Sequence, residues 1–194
     1  MAARTNETVT QLLDAAQDLV RDRGYNAFSY KDLESSVGIR TASIHYHFPA
    51  KADLGRSLME RYRAELEDQL TEIDRKSRTA TGKLKSFVGL YRATEKAGTV
   101  CLCGSMASDR ETLPDPLRDA VADYLERSER RVTETIAQGV RAGEFEPAGK
   151  PADVAATLVA GLQGGLILAR ARAGRAVLDS VQRSLWAALG VSRA

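Results

Sequence analysis

The chain has 194 residues, 43% of them apolar and 28% charged, with a formal net charge of +2. That length is ample for a hydrophobic core, and the composition excludes a disordered chain. A net charge so small does not announce nucleic-acid binding, so any basic patch has to come from placement rather than from bulk.

Residues Met1 to Glu7 carry no apolar stretch of the kind a secretory signal has. From there the pattern is helical almost throughout, with apolar residues recurring at three- and four-residue spacing. Val9, Leu12, Leu13, Ala16, Leu19 and Val20 form one stripe, and Gly24 closes that first helix. Ser29 and Asp32 make a Ser-x-x-Asp variant of the capping box, opening a short helix that turns Leu33 and Val37 inward. Gly38 breaks it, and a third short helix runs from about Thr41 to His47, ended by Pro49.

A long fourth helix starts near Lys51 and lines up Leu54, Leu58, Tyr62, Leu66, Leu70 and Ile73 on one side. Residues 74–82 read as a connection, and Leu84, Phe87, Val88 and Tyr91 mark a fifth helix. A sixth is predicted from Gly104 to Arg110. Asp115 as N-cap and Pro116 at the first helical position open a seventh, which carries Leu117, Val121, Tyr124, Leu125, Val132, Ile136 and Val140 and stops near Gly143. Pro147 to Pro151 has the composition of a mobile loop.

The eighth helix begins around Pro151 and the ninth around Arg175, with Gly174 between them. The segment Val154–Ala169 is the most apolar in the chain, yet it is short for a membrane span and holds Thr157, Gln163 and three glycines. It reads as a helix buried nearly all round, with Ala155, Ala156, Ala160, Gly161, Gly164 and Gly165 permitting close approach. Val177, Leu178, Val181, Leu185 and Leu189 stripe the ninth helix beside Trp186. The fold class is all-α, with no internal repeat.

The segment Phe28–Lys51 carries the sharpest signal. A glycine permits a tight turn between two short helices, and the apolar residue after it holds them at a fixed angle; Gly38 and Ile39 fit those places. At about 100° per residue, Ile44 and Phe48 share the inner face of the third helix. Ala42, Ser43, His45 and Tyr46 then face outward, a short polar and aromatic set suited to a major groove.

The run from Phe28 through Gly38-Ile39-Arg40-Thr41-Ala42-Ser43-Ile44-His45-Tyr46-His47-Phe48-Pro49-Ala50-Lys51 to Leu54 resembles the DNA-binding domain of the TetR family. The resemblance implies a DNA-binding helix-turn-helix over residues 1–50 and a ligand-binding and dimerisation domain over 51–194. Carried over by position, Thr41, Ala42 and Ser43 approach bases, while Arg40, His45, Tyr46, His47 and Lys51 chiefly meet the phosphate backbone. Ser29 and Tyr30 join the DNA-binding set. The N-terminus of the fourth helix adds its dipole and free N–H groups to phosphate contact. Two positions depart from the family pattern: His45 stands where Tyr is usual, and Arg40 where Ser or Thr is frequent. Residues 1–50 hold five Lys and Arg against six Asp and Glu, so the head is not net basic, and affinity per half-site should be modest.

Further along, Cys101-Leu102-Cys103-Gly104 and Leu113-Pro114 resemble the AcuR-like branch of that family, whose relatives include electrophile and hypochlorite sensors. Cys101 is the nearer match to the family's sensing cysteine, and both Cys101 and Cys103 are redox candidates. The plainer reading is core packing, as is common for free cysteines. Two cysteines give no disulfide framework, which suits a reducing cytoplasm. The family cavity lies among the fourth to eighth helices, and Tyr62, Phe87, Tyr91, Cys101, Met106, Tyr124 and Leu162 stand on the right elements to line it. No charged anchor emerges, which suits a small or weakly polar inducer.

The resemblance further implies a homodimer through the last two helices, an operator in double-stranded DNA, and repression relieved by a small-molecule inducer. No cofactor and no membrane are called for. The only histidines, His45 and His47, point about 200° apart on a helix and so cannot chelate a metal together. Neither cysteine has a base partner visible in the sequence, so no catalytic constellation assembles and an enzyme is not expected. The competing reading is a protein-interaction module with a non-functional DNA head.

Overall fold

The periodic stripes become helices in the computed structural model, which describes residues 2–172 and 176–191. Among these residues there are nine α-helices and no strand. The helices are α1 (Ala2–Arg23), α2 (Tyr30–Val37), α3 (Thr41–His47), α4 (Lys51–Lys76), α5 (Ala80–Lys96), α6 (Leu102–Ser108), α7 (Asp115–Arg141), α8 (Pro151–Arg172) and α9 (Ala176–Ala188), with a 3₁₀ turn at Arg110–Thr112. Gly174 and Arg175, the expected start of the last helix, lie outside the described residues.

Packing gathers these helices into two compact units. The first unit holds the chain through Glu65 together with Leu102–Asp123; the second holds Leu66–Cys101 and the chain from Tyr124 onward. In the first, Leu12, Ala16 and Val20 of α1 are fully buried with Leu33, Ile44 and Leu54. Gly24 adopts φ +92°, and its N–H donates to the Val20 carbonyl at 2.9 Å, closing α1 as a left-handed residue should. The inserted segment is fastened to the end of α1. The Ser105 hydroxyl donates to the Val20 carbonyl at 2.7 Å, and Asn26 donates through its backbone to the Asp109 carboxylate (3.2 Å) and through its side chain to Thr112 Oγ1 (2.6 Å). Gly55 lets α4 and α7 meet: a Cβ there would lie 2.7 Å from Leu117 Cδ2.

In the second unit α8 packs on α9 and α5. Small residues set that approach, since a Cβ on Gly165 would stand 2.6 Å from Leu178 Cδ2. Arg92 of α5 reaches Asp179 at 2.6 Å and Gln182 at 2.7 Å on α9. The chain after α7 folds back so that the Phe145 ring lies on Gly139, and the Glu146 N–H donates to the Leu189 carbonyl at 2.9 Å.

Several boundaries differ from the sequence pattern, each for a local reason. The connection between α4 and α5 is only residues 77–79, because α5 is capped from outside: Glu144 accepts the N–H groups of Ala80 and Thr81, both at 2.9 Å, and Thr79 Oγ1 accepts that of Gly82. Helix α6 opens at Leu102 rather than Gly104, and Arg110 belongs to the separate 3₁₀ turn. The Pro114 carbonyl accepts from Leu117 and Arg118, so Asp115 is already helical and Pro116 is its second residue. Val140 is 40% exposed because Gly139 under Phe145 takes the inner place. Leu125 and Val37 are half-buried. Helix α8 is not buried all round, with Ile167 52% and Leu168 43% exposed.

Asp74 near the end of α4 joins three helices of the second unit. Its carboxylate meets Lys83 Nζ of α5 at 2.9 Å and the Arg131 guanidinium of α7. Burial pushes its pKa up, but the hydrogen bonds and charges of Arg131 and Lys83 outweigh that and hold it below the ordinary 3.8. A depressed carboxylate contributes stability that is present above its unfolded pKa and lost as pH falls through the folded one. Asp74→Asn should therefore be less stable to urea than the parent near about pH 7, with the gap closing on acidification to about pH 3. A gap independent of pH would show that the carboxylate charge plays no part.

Candidate nucleic-acid interface

The short helices α2 and α3 are held by contacts that leave one face open. The Asp32 carboxylate accepts the Ser29 N–H at 2.8 Å and the Ser29 hydroxyl at 2.6 Å, fixing the start of α2. Those same Ser29 contacts lower the Asp32 pKa. At the other end Gly38 takes φ +76° and donates to the Glu34 carbonyl at 2.8 Å, the left-handed stop that a side chain would strain. Arg40 follows in extended backbone as the N-cap of α3 but contributes no side-chain cap. Glu34 supplies it instead: its carboxylate accepts both the backbone N–H of Thr41 at 3.1 Å and the Thr41 hydroxyl. These bonds depress the Glu34 pKa, with Lys31 and Arg40 adding to the effect.

The back of α3 is anchored in the core. Ile44 is fully buried and Phe48 nearly so. The Tyr30 hydroxyl donates to the Phe48 carbonyl at 2.8 Å, and its pKa is pushed up to about 12, chiefly by burial and then by Asp53 and Tyr25. Tyr30 thus braces α3 from behind and offers nothing outward. His45 is exposed yet tethered, its Nδ1 3.2 Å from the Pro49 carbonyl and its ring edge-on to Tyr30 at 4.7 Å. A carbonyl can only accept, so in this contact Nδ1 is the donor.

Ala42, Ser43 and Tyr46 are exposed, Tyr46 by 80%, and its ring stands edge-on to His47 at 5.1 Å. Arg40 and Ser29 are exposed as well, while Thr41 and His47 are half-buried. Lys51, expected at the phosphate backbone, makes its contacts here within the protein. Its ammonium donates to the Phe28 carbonyl and lies over the rings of Phe28 (4.1 Å) and Tyr25 (4.7 Å), and burial lowers its pKa against the pull of Asp109 and Asp32. Lys51 is turned toward the protein because two aromatic rings shelter it there. Asp53 occupies the first turn of α4 and accepts the Ala50 N–H at 3.0 Å, so a carboxylate stands at the helix end expected to receive phosphate. Glu34 was absent from the expected set. A Glu seven residues before a Thr across a glycine turn is the signal that would have found it.

The expected ligand-lining residues divide between the two units. Tyr62 and Met106 belong to the first, where Met106 is fully buried and Tyr62 accepts from Arg21 at 3.4 Å. Phe87, Tyr91, Cys101, Tyr124 and Leu162 are all buried in the second. Phe87 and Tyr91 pack at 5.6 Å, and the Tyr91 hydroxyl accepts from Gln163 at 3.3 Å. The void lined by Phe87 measures only about 10 Å³, room for a water at most. A groove of about 460 Å³ runs between α8 and α9, lined by Val154, Gly161, Val181 and Leu185 among others, and none of the seven residues lines it. Cys101 and Cys103 are buried and not joined in a disulfide. Among the described residues no three His, Cys, Asp or Glu side chains gather as a metal site.

Two family models match the chain. The model for bacterial regulatory proteins of the tetR family covers residues 12–58, and that for the tetracyclin repressor-like C-terminal domain covers residues 80–185, more than half of the chain. The chain belongs to the TetR family. It is a DNA-binding transcriptional regulator, of a family of regulatory proteins rather than enzymes. It is 26% identical to the transcriptional regulator AcuR of Cereibacter sphaeroides, over 82% of this chain and 74% of that protein. It is also 25% identical to the transcriptional repressor KstR2 of Mycolicibacterium smegmatis, over 71% and 67%. Among solved structures, a TetR-family regulator from Agrobacterium tumefaciens superposes with a TM-score of 0.88 at 29% identity, covering 93% of this chain and 96% of that one.

The brace behind α3 is testable. Tyr30→Phe removes one buried hydrogen bond and should lower stability by about 1 kcal/mol in chemical denaturation. An unchanged midpoint would mean that the Phe48 carbonyl is satisfied without it.

Proposed function

We propose that this TetR-family regulator is a dimeric repressor whose two α3 helices occupy successive major grooves of a pseudo-palindromic operator, and that a small-molecule inducer releases it. The observation that carries the reading is the division of α3: its back is fixed by Ile44 and Phe48, while Ala42, Ser43 and Tyr46 are left open to a groove. Thr41, Arg40, His45, His47 and Ser29 edge that surface. Tyr30 and Lys51 act from within the fold, as a brace and a sheltered cation. In this reading residues 1–50 read DNA and 51–194 sense and pair, although Leu102–Asp123 packs in the same unit as the DNA-reading helices.

Dimerisation through α8 and α9 is supported by the apolar groove between them and by Ile167 and Leu168 open to solvent on α8. The same helix is long and apolar enough to cross a membrane, but it packs on α5 and α9 and carries Gln163 bonded to Tyr91, which suits a protein interface in a cytoplasmic regulator. Within the second unit, the inducer site of this reading lies among Phe87, Tyr91, Cys101, Tyr124 and Leu162, side chains without charge, hence a weakly polar inducer. Continuous through both units, α4 is the lever in this reading. Release requires the inducer to bind the two head arrangements with different affinity. Burial of Cys101 and Cys103 favours packing over thiol sensing; operator release by N-ethylmaleimide should be the same for Cys101→Ser and the parent.

In electrophoretic shifts with the chain's own upstream DNA, the protein should bind specifically with a clear salt slope. Tyr46→Ala should bind about tenfold more weakly while its stability changes by less than about 0.5 kcal/mol. No preference over bulk competitor DNA would leave the interaction-module reading instead. By size exclusion with light scattering the parent should be a dimer at micromolar concentration. Ile167→Glu should be monomeric and lose operator binding; a monomeric parent would overturn the dimer.

A further inference from the structure

Seven residues make α3, and its first turn has no cap of its own because the Arg40 side chain contributes none. The Thr41 N–H and the Thr41 hydroxyl both end on one carboxylate oxygen of Glu34, on the far side of the Gly38 turn. A threonine hydroxyl owns a single proton. An ionised carboxylate can only accept, so in this contact that proton is spent inside the protein.

We propose that Glu34 is a positioning residue for base reading, holding the first turn of α3 in register and restricting what Thr41 can offer DNA to an acceptor lone pair and a methyl group. This rests on the reading that α3 enters the major groove. Guanine presents only acceptors in the major groove, whereas cytosine and adenine present amino donors and thymine a methyl group. Thr41 so constrained therefore selects against guanine at the base it faces. Glu34 also lays a negative charge beside α3, within the influence of Lys31 and Arg40, so it weakens sequence-independent attraction to phosphate. The two effects act together, fixing one donor and suppressing indiscriminate binding.

The test uses the full chain and a random-sequence duplex library. Wild-type protein selects its preferred duplex, and discrimination is the affinity for that duplex over a scrambled one. Glu34→Ala, Glu34→Gln, Thr41→Val and the double variant Glu34→Ala/Thr41→Val are compared, with thermal melts alongside. Glu34→Ala should lose about tenfold of discrimination while its affinity for scrambled DNA stays level or rises about threefold at low salt. Thr41→Val should lose a similar factor, and the double variant no more than either single, as partners in one contact do. Glu34→Gln, whose amide can instead donate to the hydroxyl and free its proton, should accept guanine at the position that wild type rejects. The proposal is overturned by unchanged discrimination in Glu34→Ala and Thr41→Val, by additive losses in the double variant, or by parallel loss of selected and scrambled binding with a lowered melting temperature. Should Glu34→Ala not fold, Glu34→Gln and Thr41→Val decide it. If wild type enriches no duplex at all, the DNA-reading premise itself has failed.

Discussion

A helix of seven residues cannot hold its own shape in water, since isolated helices shorter than a dozen or so residues are marginal at best. Everything about the DNA-facing end of this molecule follows from tying α3 down without covering it. Its N-terminus is capped from α2 by Glu34, its C-terminal carbonyl at Phe48 takes the Tyr30 hydroxyl, and its inner face is pinned by Ile44. Ile44 and Tyr30 hold it from the buried side, while Glu34 reaches it half-buried at the edge. What remains on the other side is small or aromatic and unencumbered by acidic chains, the condition a major groove imposes.

The second unit solves a different problem with the same economy of side chains. Glycines on α8 bring α9 close enough that Leu178 fills the space a methyl would need, and Arg92 ties α5 to α9 through Asp179 and Gln182. Elsewhere along α8, Ile167 and Leu168 stand at the surface. Helix α8 is thus apolar on several sides yet covered on only some of them by its own chain, which fits the pairing proposed for it.

Much of this was legible from residue order because the determining contacts are local. The Ser29–Asp32 box, the left-handed Gly38 and the Ile44–Phe48 pair lie within a few residues of one another, and spacing alone fixes them. What escaped depends on residues that meet only after folding. Lys51 turns inward because the rings of Tyr25 and Phe28, more than twenty positions earlier, make a sheltered place for its charge. Val140 is exposed because Phe145 doubles back over Gly139, and α5 starts early because Glu144 arrives from the end of α7 to cap it. The bond from Glu34 to Thr41 falls between these cases, near in sequence but across a turn, where no periodicity points.

The segment Leu102–Asp123 has a consequence for descent and engineering. It lies far along the chain yet is bonded into the head through Ser105, Asp109 and Thr112, and through Leu117 against Gly55. A crossover at residue 50 that grafted a foreign head onto this body would separate Val20 and Asn26 from their partners and leave an ill-matched seam. The heritable module is thus discontinuous, two stretches of gene that have to travel together if a new operator preference is to be exchanged intact.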